Sequence, residues 1–66
     1  MNNEIIDILN VITLSLMEDY IYLKQQNCWE IYLSGVVYGI YNMSDKSMDI
    51  EEIYNYLEES VINGLN

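Results

Sequence analysis

The absence of proline, together with the confinement of glycine to three positions, most constrains what this 66-residue chain can fold into. The glycines are Gly35, Gly39 and Gly64, so neither residue that breaks helices occurs in the first 34 positions. Only the polar stretch 24–27 interrupts the apolar pattern there. Three helices are therefore predicted at about residues 4–24, 28–43 and 49–63, within a single domain spanning 1–66.

Apolar residues recur at steps of three and four along each predicted helix, which is the spacing of a helix with one face in a core. The first stripe is Ile5, Leu9, Ile12, Leu16, Tyr20 and Leu23. The second is Trp29, Leu33, Val36, Ile40 and Met43. The third is Ile50, Ile53, Leu57 and Val61. The pattern predicts an all-α fold, a small three-helix bundle.

Residues that favour helix ends flank these stripes. The predicted N-terminal caps are Asn2 or Asn3 for the first helix, Asn27 paired with Glu30 for the second, and Asp49 paired with Glu52 for the third. At the end of the third helix, Gly64 stands where a left-handed residue is favoured, with Leu65 as the apolar residue that follows it.

The first helix is apolar almost all round, and two short helices cannot cover it. A chain of this size buries only about 60% of its unfolded surface, and the lone Cys28 permits no disulfide within the chain. A homodimer through the first helix, the second, or both would supply the missing burial. The predicted interface is Ile6, Val11, Leu14, Ile21, Tyr22, Tyr32, Gly35 and Gly39.

Two features of this interface have alternative interpretations. Gly35 and Gly39 lie four apart, on one line with Cys28 and Tyr32, and indicate either a tight crossing within the bundle or a dimer seam. Seven tyrosines with no phenylalanine indicate either interface positions, where tyrosine is enriched, or a compositional bias. The tyrosines are Tyr20, Tyr22, Tyr32, Tyr38, Tyr41, Tyr54 and Tyr56.

Reactive groups are scarce, because the chain has no histidine and one cysteine. Cys28 lacks a base to activate it and is interpreted as a buried small residue. Asp45, Ser47 and Asp49 alternate as calcium ligands do, but Ile50 replaces the glycine that an EF-hand loop requires. We therefore expect no enzyme activity, no cofactor and no metal site.

Eleven acids against two lysines give a net charge of −9, beyond the magnitude of roughly 2 to 8 usual for a small domain. Nucleic acid and anionic membranes would repel such a chain, so neither is an expected direct partner. Asp7, Glu18 and Asp19 interrupt the apolar run of the first helix, which argues against a membrane span. No basic segment typical of a signal peptide occurs at the start, so a cytoplasmic location is expected.

The third helix concentrates polar residues opposite its core stripe: Asp49, Glu51, Glu52, Asn55, Glu58 and Glu59. Its carboxylates recur about every 3 Å, near the ~3.4 Å spacing of phosphates along one DNA strand. The face is either a phosphate mimic or a solubilising surface. The leading hypothesis is a small non-enzymatic protein that blocks a basic nucleic-acid-binding protein, as phage or mobile-element inhibitors of the DNA-mimic or anti-defence type do. The alternative is an oligomerisation, subunit or immunity-type module that binds through its apolar surface.

Overall fold

The computed structural model describes residues 3–65 as three α-helices joined by two short loops. The helices are α1 (Asn3–Gln25), α2 (Trp29–Met43) and α3 (Ile50–Leu65). The prediction of an all-α, three-helix fold is confirmed, and the described part of the chain contains no strand. The observed ends differ from the predicted ones by no more than two residues.

Helix α2 is antiparallel to α1, because its start meets the end of α1 at Trp29 and Tyr20 and its end at Met43 lies across from Ile8 near the start of α1. Two further contacts show that α1 and α3 run parallel. The Tyr56 hydroxyl donates to Asn10 Oδ1 at 3.0 Å, and the backbone at Gly64 approaches the Met17 side chain. Both contacts join residues separated by almost the same interval along the chain, as parallel helices require. Helix α1 is about 34 Å long and spans the 33 Å length of the molecule.

The core lies where all three helices meet. Its buried apolar residues are Leu9, Leu16, Trp29, Leu33, Val37, Ile53, Leu57 and Val61. All but Val37 belong to the predicted stripes, and most remaining stripe residues pack partly buried around this core. Burial of this kind stabilises by about 1.5 to 3 kcal/mol per large aliphatic side chain.

Helix α2 is rotated relative to its predicted stripe. Its buried residues Trp29, Leu33 and Val37 follow steps of four, so Val37 belongs to the core although the stripe omitted it. Met43 was predicted to face the core and is 85% exposed. Because each residue advances about 100° around a helix, Met43 lies about 80° from Leu33 and turns away from the core.

One polar residue is buried within the core of α1. Thr13 is 7% exposed, and its hydroxyl donates to the carbonyl of Leu9 at 2.8 Å, one turn earlier. This bond satisfies the hydroxyl without a partner from another helix. No buried side-chain polar atom lacks a hydrogen-bond partner among residues 3–65.

The loop between α1 and α2 corrects the predicted capping box. Asn27 has φ 58°, the left-handed conformation that ends a helix. Its N–H donates to Lys24 O at 3.1 Å, and the N–H of Cys28 donates to Leu23 O at 2.8 Å, which is the Schellman arrangement. Asn27 therefore terminates α1. Cys28 precedes α2 with no side-chain cap bond, so pairing of Asn27 with Glu30 as a cap was wrong.

Helix α2 ends in the same way, with Asp45 in the left-handed region at φ 56°. The N–H of Lys46 donates to Tyr41 O at 3.0 Å and that of Asp45 to Asn42 O at 3.3 Å. The predicted Asp49 cap of the next helix is confirmed, because the Asp49 carboxylate accepts from the Glu52 N–H at 3.1 Å. For α1, Asn3 is the first helical residue, whereas Asn2 lies outside the described residues.

The prediction of a left-handed Gly64 was wrong. No described glycine has a positive φ, and α3 continues through Leu65, so Leu65 is a helical residue and does not clasp a terminated helix. A Cβ at Gly64 would lie 2.8 Å from both Sδ and Cε of Met17. The absent side chain therefore lets the end of α3 approach α1.

Candidate binding surfaces

Helix α3 carries the acidic face, which we define as Asp49, Glu51, Glu52, Asn55, Glu58 and Glu59. All are exposed except Glu58, which is half-buried. The Asp49 cap fixes where the helix begins, and buried Ile53, Leu57 and Val61 hold its opposite side against the core. The carboxylates are therefore held on one rigid surface. Both lysines of the chain lie outside α3, at Lys24 and Lys46.

The acidic surface continues onto α2 through Glu30. The pKa of Tyr54 is raised above its ordinary value of 10.0, first because the phenol is partly withdrawn from solvent, and then because Glu58 and Glu30 oppose a further negative charge there. Glu58 lies one turn after Tyr54 on α3, whereas Glu30 belongs to the first turn of α2. Glu30 was not among the predicted site residues, since its proximity to α3 depends on how the helices pack.

Helix α1 exposes a set of apolar side chains, which we call its outer face. Val11, Leu14 and Ile21 are 64–67% exposed, and their spacings of three and seven residues place them on one side of the helix. Tyr22 is also 64% exposed. Of the predicted dimer residues on α1, only Ile6 is half-buried. Most of the α1 residues predicted to form a dimer interface therefore lie at the surface of the single chain.

The glycines of α2 are open. Gly35 and Gly39 are exposed, and nothing lies within 4 Å of the Cβ position at either residue. Cys28 and Tyr32 on the same line are exposed as well. A tight crossing within the bundle, one of the two interpretations of these glycines, was therefore wrong. The line remains a free surface of α2, as a seam with another molecule would require.

None of the seven tyrosines is fully buried. Tyr22, Tyr32 and Tyr38 are exposed, and the others are half-buried. Two of the half-buried rings connect helices. Tyr56 donates to Asn10, and the Tyr20 ring meets Trp29 edge-on at 4.7 Å between centroids. These two tyrosines therefore connect neighbouring helices at the edge of the core.

Reactive side chains are dispersed. Cys28 was predicted to be buried and is exposed; the reason is its place in the loop before α2, where its Sγ lies 3.3 Å from Gln26 O. Among residues 3–65, no group of three histidine, cysteine or acidic side chains is placed to hold a metal ion.

The helices of residues 3–65 include none with both the length and the apolar character that a membrane span requires.

A groove between α1 and α2 was missed by the sequence analysis. It has a volume of about 330 Å³, and its walls include Ile8 and Ile12 of α1 and Ile40 and Met43 of α2. The α2 residues that line it, Ile40 and Met43, were both assigned to the predicted core stripe. That assignment left neither residue for a groove at the surface.

Comparison with protein-family profiles, curated proteins and solved structures gave no match.

Proposed function

We propose that this chain is a small non-enzymatic binding protein whose acidic face occupies the cationic surface of a nucleic-acid-binding protein. The observation that carries the proposal is the concentration of exposed carboxylates on α3, a helix without a lysine or arginine. A cationic groove that binds nucleic acid is the complementary surface. The partner is a protein rather than nucleic acid, because a chain of net charge −9 repels phosphates.

The spacing of the charges supports this proposal. From Asp49 to Glu59 the helix rises about 15 Å, and its five carboxylates match the charge density of about one DNA strand. Glu30 adds a sixth carboxylate, whose charge reaches Tyr54 on α3. Phage and mobile-element inhibitors of the DNA-mimic or anti-defence type form the functional class with this combination of small size and acidity, an analogy of class rather than of motif.

The test is capture of partners from a lysate of the native cell, with elution by a salt gradient. We expect retained proteins to be basic and to elute as salt rises, because screening weakens charge attraction. A variant with three exposed acids of α3, Glu51, Glu52 and Glu59, changed to Gln should lose them. The matched control neutralises three exposed acids of α1 (D7N, E18Q and D19N), changes the net charge equally, and should retain them. Equal loss from both variants, or elution indifferent to salt, would contradict the proposal.

A second candidate function is favoured by the outer face of α1, which leaves Val11, Leu14 and Ile21 largely exposed. Here the chain is an oligomerisation, subunit or immunity-type module, and its simplest assembly is a homodimer through α1 and the glycine line of α2. Its dependence on salt has the opposite sign, since screening relieves repulsion between two chains of charge −9.

Val11→Asp and Glu58→Gln separate the two candidates when oligomeric state and partner capture are measured together. If the acidic face is the working surface, Glu58→Gln weakens capture and Val11→Asp does not. If the outer face works, Val11→Asp abolishes assembly and Glu58→Gln leaves it intact. Both proposals place the protein in the cytoplasm, without a cofactor or metal.

A further inference from the structure

The groove between α1 and α2 is a third surface, distinct from the acidic face and from the outer face of α1. Its apolar walls are formed by Ile8 and Ile12 on one side and by Ile40 and Met43 on the other. Ile8 is 50% and Met43 85% exposed. Covering apolar side chains that are this exposed is favourable, by about 25 cal/mol for each Å² removed from water.

The shape of α2 keeps the groove accessible. Gly39 lies one turn before Met43 and so on nearly the same side of the helix. Nothing stands within 4 Å of its missing Cβ, so no side chain at this position obstructs the approach to Ile40 and Met43. Helices dock in apolar grooves through side chains spaced three, four and seven residues apart.

The rim of the groove is acidic. Glu4 forms part of its wall together with Ser44 and Met48, and Asp45 follows Ser44 directly in the chain. Lys46 is the one cation in this segment of sequence. A second copy would bring eleven acids and two lysines toward this rim, and repulsion between like charges disfavours it. A cationic helix would instead be attracted.

We propose that this groove binds the apolar side of a cationic amphipathic helix in the partner protein. The inference rests on the proposed function in taking the partner to be basic, but it uses residues that the acidic face does not include. The volume of about 330 Å³ is near the lower limit of ligand sites, roughly 300 Å³. A groove of this volume accommodates apolar side chains from successive turns of the partner helix, but it does not enclose the helix itself.

The experiment uses a defined probe, a 14-residue capped peptide of leucine and lysine with leucines at positions 4, 7, 8 and 11. Its binding to the full chain is followed by ¹³C methyl NMR. We expect shifts at the methyl groups of Ile8, Ile12, Ile40 and Met43. A control peptide with alanine in place of leucine should leave these methyls unshifted, and one with glutamate in place of lysine should bind at least tenfold more weakly.

Matched variants of the protein locate the binding site. Met43→Gln should weaken peptide binding at least tenfold and Ile8→Gln at least fivefold. Val11→Gln, at an apolar position of the outer face whose exposure lies between those of Ile8 and Met43, should change it less than twofold. Met43 is largely exposed, so its variant folds; an unchanged methyl spectrum away from the groove verifies this.

Several outcomes would overturn the inference. They are equal binding of the leucine and alanine peptides, equal binding of the lysine and glutamate peptides, methyl shifts confined to Val11 and Leu14, or groove shifts that follow protein concentration without peptide, which would assign the groove to a second copy. The proposed function fails separately. If the α3 glutamine variant keeps its lysate partners while Met43→Gln loses them and the peptide, the groove stands and the acidic face does not.

Discussion

Helices α3 and α1 divide their surfaces in different ways. On α3, the core residues Ile53, Leu57 and Val61 occupy one side and carboxylates occupy the other. On α1, the core side is similar, yet Val11 and Leu14 remain about two-thirds exposed on the side away from it. A charged outward side needs no cover in water, whereas an apolar one is more stable when covered. The molecule therefore has two chemically different surfaces. Substitutions on one surface serve as controls for substitutions on the other.

The largest expected effect contrasts a covered with an uncovered apolar residue. Leu57→Ala should destabilise the fold by about 2 to 5 kcal/mol, because Leu57 is fully buried and its loss leaves a cavity. Val11→Ala should cost less than about 0.5 kcal/mol. Urea denaturation followed by circular dichroism measures both. A cost for Val11→Ala that grows with protein concentration would show that the outer face is covered by a second copy.

The next contrast concerns how the helices begin. Asp49→Ala should destabilise by about 1 kcal/mol, because it removes the acceptor for the Glu52 N–H. Cys28→Ala at the start of α2 should change stability by less than about 0.5 kcal/mol, since Cys28 makes no side-chain cap bond. The same denaturation experiment applies. A cost at Cys28 equal to that at Asp49 would contradict the assignment of caps.

Substitution of a glycine in α2 should increase the stability of the fold, whereas the substitutions above decrease it. Gly39→Ala should stabilise the isolated chain by about 0.5 to 1 kcal/mol, because the position is helical and open. If the glycine line is a dimer seam, the same change should weaken self-association in sedimentation experiments. Gly64→Ala is the control, since its new methyl would meet Met17 at 2.8 Å and cancel much of the gain. A gain at Gly64 equal to that at Gly39 would contradict the close approach of α3 to α1.

The smallest effect concerns alkaline pH. Because the pKa of Tyr54 is raised in the folded protein, the unfolded chain releases this proton first. The contribution of Tyr54 to stability is complete below its ordinary pKa of 10.0 and is lost as pH rises through the folded value. Tyr54→Phe should therefore flatten the decline in stability above pH 10.0. A decline unchanged by Tyr54→Phe, relative to Tyr38→Phe as control, would argue against a raised pKa at Tyr54, whether from burial or from Glu58 and Glu30.

The sequence predicted α3 almost completely because its charges and its apolar residues allow only one orientation. It predicted α2 less well, since Val36, Val37, Ile40 and Met43 are all apolar. Which of them the core receives depends on the rotation of α2 against its neighbours. The groove escaped prediction for the same reason, whereas the acidic face depends on one helix alone.

The wrong predictions at helix ends concern residues suited to two roles. Asparagine favours both the start of a helix and the left-handed residue after one, and the hydrogen bonds of Asn27 select the second role. Glycine serves both a helix end and a close approach. At Gly64 the deciding neighbour is Met17, which lies too far away in the sequence to be identified from local pattern.

Because Trp29 contacts Tyr20 edge-on, its fluorescence is an intrinsic probe of the packing between α1 and α2. Trp29 is the single tryptophan and is 3% exposed, so its emission will redden when water reaches the indole. It is not among the residues that line the α1–α2 groove. Its fluorescence therefore reports whether α1 and α2 remain joined at their shared corner, and a ligand in the groove leaves that signal in place.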